Sequence, residues 1–263
     1  MSLVMDRIQE HYQYASKNFE KNNIIGIFLV GSQNYGTDLP TSDVDTRLVV
    51  APTLEEIYQN KRGESSTIYL PNTKEQINIK DIRCLFSEFK KQNINSLEIL
   101  YTDYCIVNEL YKSIWQSLID EREDISHYNK RRAIKAIKGN LFNTYNRMYL
   151  DNGMINKKQV ANLVRYEYFL RNFINGEPYA KCLRPDGQAK EYITQIRTGE
   201  MGEASMKIIA DSTKQTLEIL LNAYELRPDV ESEDINVENT LDKLCKEFID
   251  TAFFAEYAQN GEI

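Results

Sequence analysis

The apolar run Ile24–Val30, cut off by Gly31-Ser32, constrains the fold more than any other feature of this 263-residue chain. Its length and β-branched content suit a buried strand. A polar loop containing Gly36, Asp38, Pro40 and Ser42 follows, and a second strand is expected to start at Asp43. Side chains two apart in a strand point the same way, which puts Asp43, Asp45 and Arg47 on one face. Two carboxylates then confront a Gly-Ser turn.

That arrangement suits metal-assisted phosphoryl transfer. Mg²⁺ takes oxygen ligands, usually one or two carboxylates plus phosphate oxygens, and carboxylates at i and i+2, about 7 Å apart, can share one ion. The Gly-Ser turn offers backbone N–H groups, and glycine lets a phosphate approach with no Cβ in the way. Asp43 and Asp45 are therefore the expected metal ligands, with Gly31 and Ser32 as the phosphate cradle. Arg47 either touches phosphate or pairs with Asp45.

The order of these elements resembles the nucleotidyltransferases of the DNA polymerase beta superfamily. The finer pattern is Gly31-Ser32-x-x-Tyr35-Gly36, then Pro40-x-Ser42-Asp43-x-Asp45-x-Arg47. It is similar to a predicted-nucleotidyltransferase family with RNA-repair-associated members. The similarity continues through Asp81-Ile82-Arg83 and residues 93–100, and returns weakly over 157–176. The resemblance implies an NTP substrate with Mg²⁺, Mn²⁺ being the alternative. It implies transfer of a nucleoside monophosphate to a hydroxyl, with pyrophosphate released. The acceptors it allows are RNA ends, protein hydroxyls and small molecules. It also implies an α+β architecture: a nucleotidyltransferase domain over residues 1–105, with a mixed sheet and flanking helices, then an all-helical domain over 106–263. The site would lie in the cleft between them, with Arg165 as a nucleotide-binding residue from the helical side and Glu98 at the packing edge.

Members of the superfamily use a third carboxylate on a strand beside the Asp pair. Here that strand, 75–80, turns Ile77 and Ile79 inward and shows Gln76, Asn78 and Lys80 on the other face. Neither amide can serve as a base. Glu75 has the wrong parity unless a bulge re-aims it, and Asp81 reads as the N-cap of the next helix. This departure motivates an alternative function, a nucleotide-binding or regulatory module with a degenerate active site.

A formal charge of −7 and a pI of about 5.1 argue against broad, charge-driven duplex binding. Four dispersed cysteines give no zinc or disulfide framework, and two histidines give little material for a His-centred triad. No apolar run approaches about 18 residues and the start lacks a signal-peptide core, so no membrane partner and a cytoplasmic location are expected.

Apolar spacing predicts a first helix over 2–20, and Thr53 caps another. A hairpin joins strands 66–70 and 75–80, and helices cover 82–92 and 95–101. Beyond Cys105 strand signals vanish, and helices are expected over 109–122, 128–150, 157–175, 186–197, 203–226 and 237–257, with an acidic turn at 229–234. Two basic patches stand out. Arg131, Lys135 and Lys138 share one helical face, either a solvated surface or a site for triphosphate or RNA, and Lys157, Lys158 and Arg165 form the other. Tyr35 either stacks on a base or fills space beneath the motif loop.

Overall fold

A computed structural model describes residues 3–227 and 234–259; the acidic turn expected at 229–234 lies almost wholly outside the described residues. The fold is α+β with a five-stranded mixed sheet. Helix α1 (Leu3–Ala15) leads into β1 (Ile24–Val30), the short α2 (Ser32–Tyr35), β2 (Asp45–Val50) and α3 (Leu54–Tyr58). The hairpin β3 (Ser65–Tyr69) and β4 (Gln76–Asp81) follows, then α4 (Ile82–Lys90), α5 (Ile94–Leu97) and β5 (Cys105–Val107). The rest is helical: α6 (Lys112–Asp120), α7 (Arg122–His127), α8 (Lys130–Asn146), α9 (Lys157–Ile174), α10 (Tyr179–Leu183), α11 (Gly187–Thr198), α12 (Glu203–Glu225) and α13 (Ile235–Gln259).

The strands run in the order β3-β4-β2-β1-β5, with β2 and β4 parallel and the other pairs antiparallel. A register shift between Ile24 and Gly26 breaks the alternation of β1. Ile24, Ile27 and Leu29 therefore face one core, while Ile25, Phe28 and Val30 face the other. Glycine is needed at 26 because a Cβ there would come within 2.8 Å of the Ile106 carbonyl on β5. The first core lies under α1; the second continues from the sheet into the helical half.

Three expectations change. Strand β2 starts at Asp45, because Val30↔Asp45 is its last pair with β1 and the Val44 N–H donates instead to the Glu75 carboxylate at 3.2 Å. Asp43 thus stands outside the strand. A fifth strand forms after all, because three residues from Cys105 complete the open edge of β1. The stretch 95–101 is one turn of α5 followed by a 3-10 turn, Glu98–Tyr101, which sets Glu98 beneath the motif loop.

Candidate functional site

On the face of the sheet opposite α1, the ends of β1, β2 and β4 meet α9 and α11 around a cavity of about 430 Å³. Asp45 and Arg47 reach it from β2, and Gln76 and Asn78 from β4, as the period of two requires. Gly31, Ser32 and Tyr35 supply the strand-to-helix turn. Gly31 has φ 79°, a left-handed value that glycine reaches without strain. From the helical side, Lys158, Asn162 and Arg165 arrive at spacings of four and three on α9, and Arg197 arrives from α11.

The wall carries five cations, Arg47, Arg147, Lys158, Arg165 and Arg197, against two carboxylates, Asp45 and Glu98. In a chain of net charge −7 this is a concentrated reversal of sign. Arg165 is its centre. The residue is 3% exposed, its guanidinium lies 4.0 Å above the Tyr35 ring and 4.7 Å from that of Tyr166, and its Nε and Nη1 are covered and have no hydrogen-bond partner. Arginine keeps its charge at any physiological pH, so the cavity wall carries a fixed positive charge held against two tyrosine rings. Tyr35 thus packs beneath the loop and against a cation, and the arginine occupies its ring face.

Glu98 explains much of the local geometry. It is 3% exposed, and its Oε2 accepts the Gly31 N–H at 3.1 Å and the Asn34 side chain at 3.4 Å. Burial pushes its carboxyl above the ordinary value, opposed by Arg47, the Gly31 N–H, Tyr35 and Arg165. The Gly31 N–H is therefore engaged by Glu98, while Gly31 and Ser32 both line the cavity. Of the two roles expected of Arg47, the pairing with Asp45 does not form, and the residue lines the cavity. Its Nε donates to Asn78 Oδ1 at 3.2 Å and its Nη1 to the Asn95 carbonyl at 2.8 Å, which fixes the guanidinium as a preset positive wall.

Asp45 lies half-buried in the wall. Burial raises its carboxyl above the ordinary value; Lys158 and Gln76 pull it back and Asp43 adds to the rise. Asp43 itself is exposed, just outside the lining residues. Both alternatives for a third carboxylate are engaged elsewhere. Glu75 accepts from Arg7, His11 and the Val44 N–H on the α1 side, and Asp81 caps α4 while pairing with Arg83 at 2.6 Å. Among the described residues no group of three or more His, Cys, Asp or Glu could hold a metal ion. The donor set fits one hard cation that arrives with phosphate oxygens, held by Asp45 with Asp43, because such an ion needs only one or two protein carboxylates. It does not fit a second ion held by the protein alone.

The first basic patch is remote from the cavity. Arg131 and Lys135 are exposed and Lys138 pairs with Glu225. Two cavity cations, Arg147 and Arg197, went unmarked in the sequence. Arg197 sits four residues after Ile193 on one face of α11, and it donates to the Thr37 carbonyl and to Ser42 Oγ at 3.1 Å. Among the described residues no helix is long and apolar enough to cross a membrane.

No protein-family model matches the chain, and no curated protein matches it. Two solved structures align with most of it. A nucleotidyltransferase-like protein from Exiguobacterium sibiricum is 12% identical, with 83% of this chain and 75% of that one covered and a TM-score of 0.32. A spectinomycin adenyltransferase from Enterococcus faecialis, solved with ATP and spectinomycin, is 15% identical, with 92% and 98% covered and a TM-score of 0.36.

Proposed function

We propose that the chain is a nucleotidyltransferase, moving a nucleoside monophosphate from an NTP to a hydroxyl acceptor. The observation that carries this is the cavity wall, where five cations, the buried Arg165 among them, outnumber two carboxylates beside the Gly31-Ser32 turn. A triphosphate supplies what that cavity lacks, several acceptor oxygens and negative charge in one ligand. Arg47 and Arg165 bind and orient it from opposite walls, and Ser32 meets it at the turn. Asp45, with Asp43, would hold a Mg²⁺ that comes in with the nucleotide and offsets charge on the phosphates.

In the transfer the acceptor oxygen attacks the α-phosphorus while the bond from that phosphorus to the bridging oxygen breaks. Pyrophosphate leaves with the electron pair, and the hydroxyl proton passes to water. Fixed cations aimed at the phosphates offset charge without reorganising, which is the largest lever such a site has. Incubation with ATP, GTP, CTP or UTP, Mg²⁺ and a pool of hydroxyl acceptors (RNA 3′ ends, a serine- and tyrosine-containing protein, small-molecule alcohols), with pyrophosphate release as the readout, tests the reading. Release by the wild type and its loss in Asp43→Asn with Asp45→Asn is the expected result; full release by the double variant would refute it.

A second reading, a nucleotide-binding module with a weakened site, is favoured by the amides at 76 and 78 and by the engagement of Glu75 on the opposite face. Gln76 is the position that discriminates, since its amide serves the Asp45 carboxylate, whereas Asn78 is occupied with Arg47. Gln76→Asp should raise transfer if the site is merely short of a carboxylate. No gain, with nucleotide binding intact, supports the binding role.

A further inference from the structure

A second cleft, about 610 Å³, adjoins the first, and Lys158 and Arg197 belong to the walls of both. Its other residues come from three directions. Leu39 belongs to the motif loop, Leu150 and Met154 to a small hairpin closed by the Tyr149↔Ile155 bridge, and Met201 and Met206 to the entry of α12. Ile155 and Met206 are buried at 6% and 4%, whereas Met154 is 52% exposed. Three thioethers on such a wall adapt to an apolar body of varied shape. The charges are lopsided. Lys157, Lys158 and Arg197 face one carboxylate, Glu203, whose Oε1 already accepts the Ile155 N–H at 3.2 Å.

Resting on the nucleotidyl-transfer reading, we propose that this cleft is the acceptor subsite and takes a hydroxyl-bearing anionic amphiphile. The apolar body lies on the methionines, the anionic end meets Lys157, and the hydroxyl reaches the boundary at Lys158 and Arg197. There its oxygen attacks the α-phosphorus, the bond to the pyrophosphate oxygen breaks, pyrophosphate takes the electron pair, and the proton goes to water. The product is a phosphodiester between nucleoside and acceptor. A polycationic acceptor is disfavoured, because the wall offers its ammonium groups three like charges and one carboxylate already bonded to the backbone. The volume falls within the usual range of small-molecule sites, roughly 300–1,000 Å³.

The test uses the full chain labelled with ¹³C at the methionine methyls and three probes that differ only at one end: 8-hydroxyoctanoate, 1,8-octanediol and 8-amino-1-octanol. The methyl signals of Met154, Met201 and Met206 should move while those of Met5 and Met148 stay, with the hydroxy acid binding at least ~10-fold tighter than the amino alcohol. Lys157→Glu should remove that preference. Motionless signals, equal or tighter binding of the amino alcohol, or an unchanged preference in Lys157→Glu would overturn the proposal, as would transfer to an RNA 3′ end with the three methyls unmoved. A parallel ATP titration separates the two claims. ATP binding with unresponsive methyls sinks the subsite alone, whereas responsive methyls without ATP binding support the amphiphile site and sink nucleotidyl transfer.

Discussion

The residue that best joins structure to chemistry at this site is a glycine without a free amide. Gly31 takes φ 79° so that its N–H can reach the buried Glu98, and Glu98 in turn braces Asn34 and Tyr35 under Arg165. A Cβ at 31 would meet only Asp45, Oδ2 at 3.5 Å and Cβ at 3.8 Å, so the cost of Gly31→Ala is backbone strain and not collision. That strain is about 1–3 kcal/mol, and a thermal melt should show the loss. Gln76→Asp belongs to the same scale. It sets a second carboxylate beside Asp45, so its melting temperature should rise with added Mg²⁺ more than that of the wild type. Much at this scale is legible in sequence: Asp45 and Arg47 follow from period two, Lys158 stands in the second basic patch, and the family resemblance implies Arg165. Asp43 is not, because where β2 begins depends on where β1 runs out of partners.

Between elements, α1 is fastened to β2 and β4 by a buried polar chain. His11, fully buried, contacts Thr46 Oγ1 at 2.9 Å and Glu75 at 3.3 Å, and Arg7 and the Val44 N–H complete the carboxylate's partners. Burial lowers the His11 value, with Glu75 opposing. Burial raises that of Glu75, but Arg7, Val44 and His11 together bring it below the ordinary one. Both folded values lie below the unfolded ones, so the unfolded chain binds protons first as pH falls. Stability is therefore full above about pH 6.5, declines below it as unfolded His11 protonates, and declines further below about pH 4.3 as unfolded Glu75 does. Urea midpoints measured across that range should fall in this order, and His11→Gln should flatten the upper part alone. A midpoint that rises on acidification would contradict the assignment. The sequence shows His11 on an amphipathic helix but not its partners, since pairing across 35 and 64 residues is a product of the sheet.

At the scale of the molecule, the C-terminal helix returns to the sheet. Phe248 of α13 is fully buried against Phe86, Tyr111 and Trp115, and Trp115 stacks on Phe28 of β1 at 4.3 Å. One core thus runs from the strands into the helices, and it holds α9 and α11 at the distance from β2 that makes the cavity. Phe248→Ala should cost about 3–5 kcal/mol, read as a lower urea midpoint in a single transition. Arg147 and Arg197 are illegible in sequence for the same reason, because only this tertiary closure brings two ordinary basic side chains into the cavity wall. Titration of Mg²⁺–ATP into the wild type and Arg165→Met, with a thermal melt of each, tests the central claim most directly. Arg165 stacks on Tyr35 and Tyr166 and offsets the buried Glu98, so the variant should melt lower yet in one transition, while binding ATP about 10–100-fold more weakly, as expected for a lost charged contact to phosphate. Equal ATP affinity in the two proteins would contradict the account.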